Sequence, residues 1–205
     1  MSKNYQEDFF KACEKGEIQN VKLFLERGAN IEGKDNDGWT PLIFSSWNGN
    51  FEVTKLLLEN GADIEARDNG GWTPLMYSSC NGHLDVTKLL IEKGAVIDAK
   101  DNDGRTPLIL SSSGCGHFEI MKFLIEKGAN IEARDNDGWT PLIYSSRYGY
   151  LEVTKFLISE GADIEAKYNN GAKFDVFLGD SQKKEIGEFI QGIQNRKNMI
   201  KPHRR

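Results

Sequence analysis

Cysteine is scarce: the 205 residues hold three, Cys13, Cys80 and Cys115, an odd number at unrelated positions. Such a set builds no disulfide framework and favours a reducing compartment. No apolar run approaches the roughly 20 residues that span a bilayer. The opening residues, Met1 to Asp8, have no apolar core of a signal peptide. No Asn-x-Ser/Thr acceptor occurs either. Catalytic signatures are missing too: there is no Gly-x-Ser-x-Gly elbow, phosphate loop, dinucleotide fingerprint or His-Glu-x-x-His helix. The expectation is a soluble, non-enzymatic chain with no cofactor and no metal. Its expected address is the cytoplasm, with the nucleus as the alternative.

Excess positive charge is absent from most of the chain. The net charge is −5, with residues 172–205 carrying +4 and residues 1–171 carrying −9. An acidic body disfavours nucleic acid, whose phosphates need a basic face. The basic residues of 195–205 are dispersed along a polar end, as in a solvated tail.

What the chain has in plenty is self-similarity. Gly38-Trp39-Thr40-Pro41-Leu42 returns as Gly71-Trp72-Thr73-Pro74-Leu75, Gly104-Arg105-Thr106-Pro107-Leu108 and Gly138-Trp139-Thr140-Pro141-Leu142, at threonine intervals of 33, 33 and 34 residues. A period of this size marks a stack of repeated units, each touching only its neighbours. In the unit from Asp135, an Asx-rich turn ending in Gly138 leads to Thr140 as N-cap and Pro141 at the first helical position. A short helix follows to about Tyr148, Gly149 ends it, and a second runs from Leu151 to about Glu160. Gly161 stops that helix, and an extended exit, Ala162 to Ala166, leads to the next turn. A two-turn helix is too short to stand alone. Stability must come from burying Leu, Ile, Val and Phe against adjacent units, at roughly 25 cal/mol per Å². The Ser pairs at 45–46, 78–79, 111–112 and 145–146 let first helices approach closely.

The Gly-x-Thr-Pro-Leu entry, the Gly between helices, the Leu-rich second helix and the Gly-Ala-Asp-Ile exit resemble the ankyrin repeat over about residues 5–168. The resemblance implies an all-α solenoid of stacked helix-turn-helix units with β-hairpin-like loop tips. It reads as an N-terminal capping repeat at 5–34 and full repeats at 35–67, 68–100, 101–134 and 135–167. A degenerate capping repeat follows at 168–194, its closing helix running from Ser181 to about Ile193, and a basic tail at 195–205. The family usually places His after Thr-Pro-Leu, bonding between repeats; here Ile43, Met76, Ile109 and Ile143 stand there, with neighbouring Ser or Thr hydroxyls as candidate substitutes. The repeat at 101–134 holds one extra residue near Gly114. Cys115 and His117 lie close by, but two ligands fall short of the four a structural zinc needs. His83 and His117 sit in the inter-helix turn as loop braces.

The resemblance further implies that a partner docks on the concave side, built from tips and first helices. The tip residues there are Trp39, Trp72, Arg105 and Trp139; the first-helix residues are Phe44, Tyr77, Leu110 and Tyr144; and near the helix ends stand Trp47, Arg147 and Tyr148. Aromatics and Arg dominate interface hot spots, which makes these the candidate partner-binding residues. In the purely structural alternative the tip tryptophans pack on neighbouring tips, and Arg105 stacks between Trp72 and Trp139. The recurring carboxylates, Asp35 onward and Glu32 onward, read as turn caps and solvated surface, because a catalytic pair needs two unlike environments. The expected function is a monomeric scaffold binding a protein partner that offers a basic segment. The alternative is a substrate-recruiting adaptor subunit of an enzyme assembly such as a ubiquitin ligase.

Overall fold

The computed structural model describes residues 3–113 and 116–200, with side chains from Tyr5 to Arg196. The extra residue at Gly114-Cys115 and the end of the tail, 201–205, lie outside the described residues. Five helix pairs follow one another: α1 (Lys3–Lys15) with α2 (Ile18–Glu26), α3 (Pro41–Trp47) with α4 (Phe51–Glu59), α5 (Pro74–Cys80) with α6 (Leu84–Glu92), α7 (Pro107–Ser113) with α8 (Phe118–Glu126), and α9 (Pro141–Arg147) with α10 (Leu151–Ser159). A 3-10 helix, Phe174–Phe177, and a long α11, Asp180–Ile200, close the chain.

The local chemistry explains each pair. Thr40, Thr73, Thr106 and Thr140 each accept the backbone N–H three residues on, at 3.3–3.4 Å, and Pro occupies the first helical position. These caps satisfy donors that a seven-residue helix otherwise leaves bare. At the other end of a pair, Gly61 N–H reaches the Leu58 carbonyl and Ala62 N–H the Leu57 carbonyl, a closure that drops the chain off the helix.

The odd-numbered helices from α1 to α9 pack in one close row, and the second helices form a looser row behind them. All eight serines of the Ser-Ser pairs are buried, so the close row rests on their small size. Between the rows, Leu42, Leu75, Leu108 and Leu142 meet Leu57, Leu90, Leu124 and Leu157, all essentially inaccessible to water. Ile43, Met76, Ile109 and Ile143 are buried there too. Among the described residues these Ser and Thr hydroxyls bond within a helix pair, not between repeats. Thr54 bonds Ser45, Thr87 bonds Ser78 and Thr154 bonds Ser145, each at 3.0 Å and each inside one helix pair. In the pair that carries the extra residue, Met121 replaces the threonine and its Sδ accepts from Ser112.

Neighbouring units are stitched by three polar ladders. At the tips, Asn69, Asn102, Asn136 and Asn169 each donate Nδ2 to the carbonyl of the preceding tip's Asn, at 3.0–3.2 Å. At the exits, Glu32, Glu65, Asp98 and Glu132 accept backbone N–H groups of the following unit. Lys34, Arg67, Lys100 and Arg134 each donate to a carbonyl one unit further along, those of Arg67, Lys100, Arg134 and Lys167 respectively. The recurring carboxylates are therefore caps and straps. Each tip is a tight turn, as where Asp35 N–H meets the Trp39 carbonyl at 3.1 Å.

The C-terminal end departs from expectation in two ways. The degenerate unit opens with one 3-10 turn, and its closing helix begins at Asp180 and runs seven residues past Ile193, through the start of the basic tail. Lys155 on α10 bridges to Glu185 on α11 at 2.6 Å, and Ile186 is buried beneath.

Candidate protein-interaction face

The tips and first helices bring the candidate residues onto one strip, because each tip leads directly through Thr-Pro into its first helix. The rings meet in sequence. Phe44 stacks on Phe10 at 5.4 Å; Trp39 contacts Phe44 at 5.1 Å, Trp47 at 5.1 Å and Tyr77 at 4.8 Å; Trp72 contacts Tyr77 at 4.9 Å. At the other end Trp139 touches Tyr144 at 5.2 Å, Tyr168 at 5.3 Å and Phe177 at 5.4 Å. Between these clusters the unit with Leu110 breaks the row.

The cations fill the gaps, in an arrangement unlike the expected one. Arg105 lies over Trp72, 5.5 Å from the ring centroid. It is Arg147, not Arg105, that covers Trp139, at 5.2 Å, and it also faces Phe177 at 5.5 Å. Arg105 is tied down further: its Nε donates to Asp101 at 2.8 Å and its other arm meets Asp103 at 2.9 Å. Burial alone would lower the Arg105 guanidinium, but the two carboxylates outweigh it and hold the group above its ordinary value.

The Asp that opens each tip has its own partner. Tyr77 donates to Asp68 at 2.5 Å and Tyr144 to Asp135 at 2.7 Å. Burial first, then the facing carboxylate, push both phenols far above the usual tyrosine range. Where Leu110 lacks a hydroxyl, Arg105 takes over the role toward Asp101. The sequence carried this signal, since tip and helix residue change together in one unit.

The candidates differ widely in access. Leu110 and Tyr77 are buried; Trp39, Phe44, Trp72, Arg105, Trp139 and Tyr144 are half-buried; Arg147 is exposed. Trp47 and Tyr148, at 38% and 50% exposure, are the open aromatics of the strip. Loop braces lie below it: His83 Nε2 donates to the Trp47 carbonyl at 2.8 Å, and Asn50 Nδ2 donates to the carbonyls of Cys13 and Glu14 at 2.9 and 2.8 Å. The His117 ring lies against Gly82, and Cys115 is outside the described residues. Among the described residues no three His, Cys, Asp or Glu side chains gather as a metal ion would need. No described helix is long and apolar enough to cross a membrane.

A row of capped helix pairs in fixed register defines a repeat solenoid. The family model for ankyrin repeats (three copies) matches at residues 5–68, 66–135 and 97–168, and the chain belongs to the ankyrin-repeat family. Ankyrin repeats are in general protein–protein interaction modules, and the family is typically non-catalytic. No curated protein matches the chain.

Proposed function

We propose that this chain is a non-catalytic scaffold that binds a partner protein across its tips and first helices, the partner offering a basic segment. The observation that carries the reading is the pair of open aromatics at the ends of α3 and α9. Trp47 has no aromatic counterpart in the other full repeats, where Cys80, Ser113 and Arg147 stand at its position, so the period itself does not call for an indole there. Tyr148 likewise replaces Asn48 and Asn81. Large aromatics that the fold does not require are what interface hot spots are made of. The acidic tips support a basic ligand: Asp37 and Asp137 are exposed and form no ion pair among the described residues, whereas Asp103 is neutralised by Arg105. Binding on a stack already held by caps and ladders costs little ordering.

The test compares wild type with Trp47→Ala/Tyr148→Ala in affinity capture followed by cross-link mapping. Trp47 gives up its contact with Trp39 and Tyr148 its stack on Tyr150, so the melting temperature should fall by a few degrees while unfolding stays cooperative. The expected outcome is loss of the captured partner, with wild-type cross-links falling on α3, α5 and α9. Equal recovery of the same partner by both proteins would remove this face from the function.

A further inference from the structure

The tryptophan–arginine stacks inside the chain describe a pairing that one repeat lacks, an indole standing there in place of the cation. Arg147, the last residue of α9, lays its guanidinium on the tip indole of its own repeat, Trp139. Arg105 does the same to Trp72 from the following tip. In the repeat at 35–67 the place of Arg147 belongs to Trp47, and among the described residues no Lys or Arg stacks on Trp39 or Trp47. These two indoles stand 5.1 Å apart with their planes at 74°, forming a corner whose Trp47 side opens to solvent. The same tip carries Asp37, whose carboxylate has no ion-pair partner among the described residues, while its counterpart Asp103 holds an arginine at 2.9 Å.

We infer that the open face of Trp47, at its corner with Trp39, receives an arginine side chain of the partner protein, laid on indole as Arg147 is laid on Trp139. This rests on the reading of the face as a protein-binding surface, and it specifies the chemistry of one subsite. Arginine is preferred over lysine because its planar, weakly hydrated guanidinium stacks flat on an indole. The chain's own usage agrees: among the described residues both stacks on tryptophan employ Arg, and lysines appear only over Phe123. The acidic tip adds charge complementarity without a buried, costly ion.

All four tryptophans of the chain lie on this strip, so the full-length protein labelled at indole nitrogen gives four signals, assignable by single Trp→Phe variants. The probe is N-acetyl-arginine methylamide, with the citrulline and lysine analogues as controls. The indole signals of Trp39 and Trp47 should move with the arginine probe, move less with lysine, and stay still with neutral citrulline. Those of Trp72 and Trp139, already faced by Arg105 and Arg147, should not move. Trp47→Arg, which copies the repeat at 135–167, should abolish the Trp39 response, and Trp47→Phe should keep it with affinity about two- to fivefold weaker. Equal response to citrulline, equal response at all four indoles, or an unchanged response in Trp47→Arg would overturn the inference. Loss of partner capture in Trp47→Ala/Tyr148→Ala, with indoles unmoved by arginine, would retain the surface and discard the arginine. Undiminished capture would discard the surface itself.

Discussion

At the scale of single residues, the carboxylate that opens each tip is the part with most consequence. Its Oδ1 caps the turn, as where Asp101 accepts the N–H groups of Asp103 and Arg105 at 3.0 and 2.8 Å. In three repeats its Oδ2 takes a second donor from the same unit, a phenol in two and a guanidinium in the third. The two solutions should be interchangeable only as pairs. Arg105→Trp alone leaves the buried Asp101 carboxylate half satisfied, a loss of about 2–3 kcal/mol. Adding Leu110→Tyr supplies the phenol used elsewhere and should recover at least half of that, a coupling readable in a urea-melt double-mutant cycle. Simple additivity would contradict the clamp. The same clamp sets an alkaline response. Tyr77 and Tyr144 keep their protons in the folded state, while unfolded tyrosines ionise near pH 10. Above that pH the unfolded state binds fewer protons, so stability is intact below it and falls as pH rises past it. Urea midpoints from about pH 9 to about pH 11 should decline less steeply in Tyr77→Phe/Tyr144→Phe than in wild type.

At the scale of elements, glycine shows how backbone decides sign. Gly161 ends α10 at φ +100°, a conformation that costs an L side chain about 1–2 kcal/mol, although a Cβ there would meet nothing within 4 Å. Gly187 and Gly192 also have open space at Cβ, but they lie inside α11 without positive φ. Gly161→Ala should therefore destabilise by about 1 kcal/mol, whereas Gly187→Ala and Gly192→Ala should each stabilise by about 0.5–1 kcal/mol, measured by thermal melting. A stabilising Gly161→Ala would mean the exit is not locked. This contrast also explains what was legible in the sequence. Thr-Pro entries and helix-ending glycines act through their own backbone, so they could be read one unit at a time. The length of α11 could not: Ile186, Phe189, Ile190 and Ile193 mark its apolar face only to Ile193. Beyond that no left-handed glycine stops the helix before Pro202, and it runs on to Ile200. Nor could the partner of Arg147 be read, because a long side chain at a helix end has several rings within reach. The choice of Trp139 depends on how the 3-10 turn brings Phe177 beside it.

At the scale of the whole molecule, the ladders are periodic and the ends are chemically closed. Gln6 on α1 accepts the Asn30 N–H at 3.1 Å and donates to the Asn30 carbonyl at 2.8 Å, playing the part that Glu or Asp straps play for every later unit. At the far end Glu165 pairs with the Lys173 side chain of the degenerate unit, where the earlier straps hold a backbone N–H. With both ends spoken for, the interior unit becomes interchangeable. Removing residues 68–100 would join Arg67 to Asp101. Every broken ladder bond would find its equivalent one period on: Asn102 would take the Asn36 carbonyl, Glu65 the Asn130 N–H and Arg67 the Arg134 carbonyl. Arg105 would then face Trp39 as it now faces Trp72. The shortened chain should fold cooperatively, with a urea m-value lower by about one sixth and a reduced midpoint, because each unit contributes its own buried surface and one interface. Removing residues 68–84, half a period, deletes a first helix while leaving its partner without a row to pack on. That chain should lose cooperative unfolding by circular dichroism. If the 33-residue deletion abolished folding as completely as the 17-residue one, the units would not be the independent, register-locked modules that their matching bonds make them.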